Sequence, residues 1–229
     1  MSFVDALTRG AALAVTAGAS GPETSRGTLT TLGPVPLAPG LGGDQSMRMT
    51  AGHVEVNRTG DITSGDTTVM AWVRVPRSDR GRTVATRAQG DTEISLTVGS
   101  DGRPRAVVAS ARGPYRVALA GAARVDDGNW HQLAVLIDHG SWSRVDITLV
   151  VDGVAVRAGQ MRPGLFSAAP SMSMTSTVRV GGRSREALLG GDLLALTVHE
   201  RVVAMEQLAA WWRTRPAGGA RSGWGIAFG

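Results

Sequence analysis

Apolar residues along this chain recur at every second position over short stretches, and a turn signal separates nearly every pair of stretches. A two-residue period predicts β-strands that bury one face. In residues 145–151, Val145, Ile147, Leu149 and Val151 share one face while Asp146, Thr148 and Val150 share the other. That strand is expected to bury one side and wet the other. Residues 130–137, Trp-His followed by an apolar run, give an equally strong strand after the Asp127-Gly128-Asn129 turn. Trp130 and His131 point to opposite faces of it, so Trp130 is assigned to the core and His131 to a structural or half-exposed role, with ligand contact as the alternative. Further strands are expected at 45–50, 53–57, 67–75, 83–86, 92–98, 105–110, 115–120, 154–157, 175–180 and 193–198. Ser100-Asp101-Gly102 supplies a hairpin turn, and Asp152-Gly153 closes the 145–151 strand. Only residues 203–213 carry a helical pattern, with Val203, Leu208, Trp211 and Trp212 on one side and Pro216 as its stop. Residues 18–43, rich in Gly, Pro, Thr and Ser, read as loops with one or two short strands. The fold class is therefore all-β: an antiparallel two-sheet sandwich with one short C-terminal helix.

Several pieces, in order, resemble the laminin-G-like, concanavalin A-like lectin/glucanase jelly roll. Gly42-Gly43-Asp44-Gln45-Ser46-Met47-Arg48-Met49 with Gly52-His53-Val54-Glu55-Val56 is similar to its opening strands. Asp66-Thr67-Thr68-Val69-Met70-Ala71-Trp72-Val73 resembles the strand that carries its Ala-Trp pair. Asp127-Gly128-Asn129-Trp130-His131, Val151-Asp152-Gly153 and Val178-Arg179-Val180-Gly181-Gly182 match later elements. Residues 190–208 resemble the closing strand and short helix, so the likeness runs roughly from 45 to 212. The chain also looks like jelly-roll modules of phage tail and minor structural proteins. One departure concerns calcium. The family's closing strand often carries Ile-Asp-Asp-Val, and here Leu193-Leu194-Ala195-Leu196 stands in its place. Calcium wants several hard oxygen ligands, and without those two acids no cofactor is expected. Asp61 and Asp66 are the remaining metal candidates, although turn carboxylates commonly serve the turn itself.

Composition narrows the picture. A chain of 229 residues with 42% apolar content can bury a sizeable core as one domain. The expected organisation is a single jelly-roll domain over residues 1–217, its first 40 residues loop-rich, followed by a Gly-rich apolar docking tail at 218–229. Cysteine is absent, which removes disulfides and thiolate metal sites. All 24 basic residues are arginine, the mark of codon usage in a high-GC bacterium or one of its phages. Arg74, Arg77, Arg80 and Arg82 form the densest local cluster, but Asp79 interrupts it and no aromatic residues interleave. With a net charge of +5, nucleic-acid binding is not expected. At the N-terminus Asp5 precedes the single Arg9, and the apolar run 11–15 is short, so this segment reads as part of the fold rather than a signal peptide. No apolar stretch is long enough to span a bilayer.

Catalytic patterns are sparse. Glycoside hydrolysis needs two carboxylates facing one sugar bond, and the six glutamates are isolated from one another. Asp91-Thr92-Glu93 comes nearest to an alternating pair, at a strand's start. No Gly-x-Ser-x-Gly elbow is present, and the four histidines lack helical ligand spacing. The chain reads as a non-enzyme. Trp142, beside Arg144 in the loop between two strong strands, suits a sugar platform or a protein anchor. Trp224 and Phe228 in the Gly-rich tail suit docking on the chain's own domain or on a neighbouring subunit. The expected setting is a virion, as a decoration or minor tail protein. Its partners there would be other virion proteins, further copies of itself and host glycans. A secreted or surface carbohydrate-binding module of a high-GC bacterium is the alternative, and a hydrolase of the same fold the third reading.

Overall fold

The computed structural model describes residues 2–57, 65–89, 92–110, 115–141, 144–162, 177–182 and 187–216. The chain opens with helix α1 (Phe3–Thr8), then strands β1 (Leu13–Ala17), β2 (Pro22–Thr24), β3 (Thr28–Leu32), β4 (Leu37–Pro39) and β5 (Gln45–Arg48). β6 (His53–Asn57), β7 (Thr67–Arg74), β8 (Arg82–Gln89), β9 (Thr92–Val98), β10 (Pro104–Ser110) and β11 (Tyr115–Ala120) follow. β12 (Trp130–Ser141), β13 (Arg144–Val151), β14 (Val154–Met161), β15 (Val178–Val180), β16 (Asp192–His199) and helix α2 (Met205–Arg213) complete it. One sheet runs β14-β13-β12-β7-β16-β1-β2, with β5 beside β16 and β4 beside β5; the other runs β11-β10-β9-β8-β15-β6-β3. Both are antiparallel, as the period-2 pattern and the short turns require.

The sheets face each other across one apolar core. Leu133, Val135, Ile147 and Leu149 from the first meet Ile94, Leu96, Val108 and Val180 from the second. The first sheet is also buried on its outer face. There Met70, Trp72, Trp130, Ala134 and Val150 lie beneath Leu7 of α1 and Leu208 of α2. Trp72 is the centre of this second core. Phe3 meets it edge-on at 5.1 Å, and Trp212 stacks on it at 5.6 Å. Trp211 and Trp212 together clamp α2 onto the sheet, since Trp211 in turn stacks on His199 at 6.1 Å.

The helical cover corrects three expectations. The outer face of β13 is not wet along its whole length: Asp146 and Thr148 are half-buried, but Val150 is fully buried under α2. Residues 1–40 are not mainly loop. Ser2 and Asp5 form a reciprocal capping box that starts α1, and the apolar run read at 11–15 becomes β1, zipped to β16 from Leu13↔Val198 to Thr16↔Ala195. α2 begins at Met205, two residues later than expected, because Ala204 supplies its N-cap without a side-chain bond and Val203 is spent in the core.

Burial also splits the arginine cluster. Arg74 reaches Asp192 through Nε at 3.0 Å and Nη2 at 2.6 Å, and its guanidinium lies over Trp130 at 5.1 Å. Arg48 holds the other oxygen of Asp192 at 2.9 Å. Arg82 is buried, whereas Arg77 and Arg80 remain exposed. The cluster is therefore a structural network with two solvent-facing members.

α2 rests on the β13–β14 turn at a glycine that must remain one. Gly153 has φ +76°, and a Cβ there would lie 2.6 Å from Ala209 Cα. Trp72→Ala is expected to lower unfolding free energy by about 3–5 kcal/mol in urea titrations followed by circular dichroism. Gly153→Ala should lose about 1–3 kcal/mol in the same assay, from strained backbone and a displaced helix.

Candidate functional site

Strand register brings most long connections to one end of the sandwich. Thr67 at the start of β7 pairs with Ile137 near the end of β12, and Ser141 pairs with Arg144 across the hairpin. In the other sheet Gln89 pairs with Thr92, Ser110 with Tyr115, and Val178 with Val56. The connections over 58–64, 90–91, 111–114, 142–143 and 163–176 thus leave from and return to this end. Between the sheets here lies a cavity of about 30 Å³ lined by Thr67, Val69, Arg87, Ile94, Val178 and Val198. That volume suits one water and no larger ligand.

The outer face of β12–β13–β14 offers a polar row at the same end. Asp138 stands opposite Asp146, and Asp146 opposite Gln160. These three lie on the face that carries Trp130 and Ala134 lower down, where the helices end their cover. Arg144 turns back onto Asp146, its Nε 2.9 Å from Oδ1 and 2.7 Å from Oδ2. This contact, with the Asp138 charge adding to it, holds the guanidinium above its ordinary pKa. Facing carboxylates repel, and Arg144 offsets that repulsion. The row therefore presents carboxylate, guanidinium and amide groups side by side, the planar groups that bind vicinal hydroxyls bidentately.

The sequence expectations meet this end unevenly. Arg144 is exposed and belongs to the row. Asp66 is exposed beside it, its Oδ1 accepting the His139 backbone N–H at 2.9 Å. Asp66 thus fastens the start of β7 to β12, and no group of three or more His, Asp or Glu suited to a metal occurs among the described residues. Trp142, Asp61, Trp224 and Phe228 lie outside the described residues. Sequence reading missed the Asp138–Asp146–Gln160 row because it spans three strands. The signal was present as Asp138 and Asp146 flanking a hairpin, but only strand register converts it into a neighbourhood.

The Trp-His strand resolves into a pin at the opposite end. His131 Nδ1 lies 2.9 Å from Asp152 Oδ2, and its Nε2 lies 3.0 Å from Asp127 Oδ1. Asp152 also accepts the Gln132 backbone N–H at 3.0 Å, while its own φ of 54° makes the tight turn with Gly153. Trp212 stacks over the His131 ring at 6.4 Å. The two Asp-Gly turns flagged in the sequence are thereby tied to each other and to α2. His131 is more than a half-exposed strand residue: it is the joint between them.

Two carboxylates accept and do not donate, so both His131 nitrogens must carry protons to satisfy them. Burial pulls the imidazole pKa down, but the bonds and charges of Asp152 and Asp127 outweigh it, and the net shift is upward from 6.5. A raised folded-state pKa stabilises fully below the unfolded value and is lost as pH climbs through the folded value. The stability gap between wild type and His131→Gln should be widest near pH 5.5–6 and shrink as pH rises above 6.5. Urea unfolding across that range reads it, and a gap that widens with pH would refute the pin.

Comparison with known proteins places the architecture. No curated protein matches the chain in sequence. Among solved structures it is similar to the binding domain of botulinum neurotoxin DC solved with SialylT, at TM-score 0.67 and 8% identity over 93% of this chain and 52% of that one. The receptor-binding domain of botulinum neurotoxin D gives 0.66 and 8% over 93% and 53%. The type C toxin structure, described as entering cells through two ganglioside molecules, gives 0.66 and 8% over 91% and 52%. The chain spans about half the length of these neighbours, and at such identity the likeness shows fold alone. Residues 48–209 match the family described as the concanavalin A-like lectin/glucanases superfamily, under the laminin-G heading. The chain belongs to that family, as a two-sheet jelly roll whose outer face is closed by helices and whose polar row stands at the loop-bearing end.

Proposed function

We propose that this protein is a non-enzymatic, lectin-like module carried on a virion as a decoration or minor tail protein, giving weak adhesion to host-surface glycans. The single observation that carries the binding part is the Asp138–Asp146–Gln160 row with Arg144 beside it, placed where the helical cover stops. A pyranose offers an apolar C–H face and a rim of vicinal hydroxyls. An indole matches the first and paired carboxylate or guanidinium groups match the second. Trp142 belongs to the two-residue connection between Ser141 and Arg144. In this reading it supplies the indole and the row supplies the hydrogen bonds. The toxin-domain neighbours named for SialylT and gangliosides support the reading as analogy of fold.

The non-enzymatic reading rests on how Asp146 is used. A general acid needs a carboxyl that takes up and releases a proton at working pH. Asp146 is instead tied down by Arg144, whose Nε lies 2.9 Å from Oδ1 and 2.7 Å from Oδ2. The virion setting rests on the arginine-only basicity, the likeness to phage structural modules, and the apolar tail with Trp224 and Phe228. A bacterial carbohydrate-binding module would use the same row and differ in location.

A glycan array is expected to show binding that Trp142→Ala and Asp146→Asn each weaken by about tenfold or more. Full binding by both variants would overturn the site. Release of reducing sugar by wild type, lost in Asp146→Asn, would replace adhesion with hydrolysis. Purified particles from a lysate of the encoding strain should carry the protein, detected by mass spectrometry and surface antibody labelling. Its absence from particles and presence in cell-free medium would select the bacterial module.

A further inference from the structure

The two tryptophans that seat α2 rest on two histidines of opposite character. Trp212 lies over His131, which is held between the carboxylates of Asp152 and Asp127. Trp211 lies over His199, the last residue of β16, with 29° between the ring planes. His199 is fully buried, and among the described residues neither of its ring nitrogens has a hydrogen-bond partner. Two neighbouring residues of one helix thus sit on a ring that needs its charge and on a ring that has no place for one.

The elements around His199 offer it little that would hold a proton. Thr68 of β7 stands opposite it in the sheet. The Thr68 hydroxyl is already used, donating to the Arg201 carbonyl at 2.9 Å and accepting the Val203 N–H at 3.0 Å. From the α1–β1 connection, the Gly10 main chain draws on the ring without completing a bond. The charged side chains of these elements are Asp5 and Arg9 on the α1 side, Asp66 ahead of β7, Glu200 and Arg201 after β16, and Glu206 and Arg213 on α2. All seven are exposed. Arg201 acts on the ring, and its charge opposes protonation. The Trp211 face attracts an imidazolium, but a buried charge without hydrogen bonds costs more than that attraction returns. Burial is the largest influence and pulls the imidazole below its ordinary 6.5; Gly10 offsets part of this and Arg201 adds to it.

We propose that His199 is an acid-released latch of the helical cover: proton uptake drives its ring out from beneath Trp211 and frees that side of α2, while the charged His131 keeps Trp212 seated. A group whose pKa burial lowers adds stability above its unfolded value, here 6.5, and loses it as pH falls from there through the folded value. One proton is taken up per opening, so the opening constant rises by at most about tenfold per pH unit across that window. His131 works in the other direction, since its stabilisation is complete below 6.5. The two seats therefore exchange roles near neutral pH, and acid leaves α2 hinged at Trp212. The latch is independent of glycan binding.

Amide exchange of the full chain, compared as protection factors between pH 7 and pH 5, tests it. Protection of α2 is expected to fall by up to about tenfold per pH unit below 6.5. The Trp211 indole resonance should move toward that of an exposed tryptophan while the Trp212 resonance holds. His199→Phe, which keeps a ring beneath Trp211 and needs no polar partner, should abolish the fall. If that variant does not fold, titration of the His199 ring resonances in wild type decides. A midpoint below 6.5 that tracks the loss of α2 protection supports the latch, and proton uptake with protection unchanged refutes it. Constant α2 protection from pH 7 to pH 5, or an equal fall in wild type and His199→Phe, would also overturn the proposal.

Discussion

The structure depends on the burial of β7 from both sides. Seven of its eight residues are buried, and Trp72 at its middle is fully enclosed. A strand of a simple two-sheet sandwich shows one dry and one wet face. Here the outer face of the central strands is apolar, so something must lie on it. α1 and α2 do so, and almost every other feature follows from that need. The tryptophans of α2, the turn glycine beneath Ala209 and the imidazole beneath Trp212 all serve to seat a cover. A ligand cannot use the covered region, and the polar groups available for recognition are pushed to the end that the helices leave open.

Seating the cover is imperfect in its polar accounting. Trp72 Nε1, Gln132 Oε1 and Thr197 Oγ1 are buried without hydrogen-bond partners. Each unpaired buried group costs roughly 1–3 kcal/mol, so the layer under the helices is held by apolar area and ring stacking against a polar deficit. The second sheet carries a similar deficit, with Arg82 Nη1 and Thr86 Oγ1 also buried without partners.

Much of the architecture was legible in the sequence because β-sandwiches write themselves in period 2. β6, β9 and β11 fall at the expected residues, and β10 within one residue of them. What was not legible is what register creates. The Asp138–Asp146–Gln160 row joins residues from three strands, and the His131 pin reaches Asp152, 21 residues on in sequence. Neither has a local signature. The outer face of β13 was misread in its lower half because Val150 obeys the polar face's parity while a distant helix dries it. Trp130 and the α2 tryptophans were read correctly, since large aromatic side chains on amphipathic elements rarely have another place to go.

The stacking of Trp212 on Trp72 also has a consequence in time. The ribosome makes Trp212 about 140 residues after Trp72, roughly 7–28 s later at ordinary elongation rates. Throughout that interval the most buried ring of the sheet faces water or whatever else is near. A nascent chain of this design waits for β16 as well as for its cover, since that partner strand of β7 ends only 13 residues before Trp212. The last helix to emerge is the one that ends the exposure.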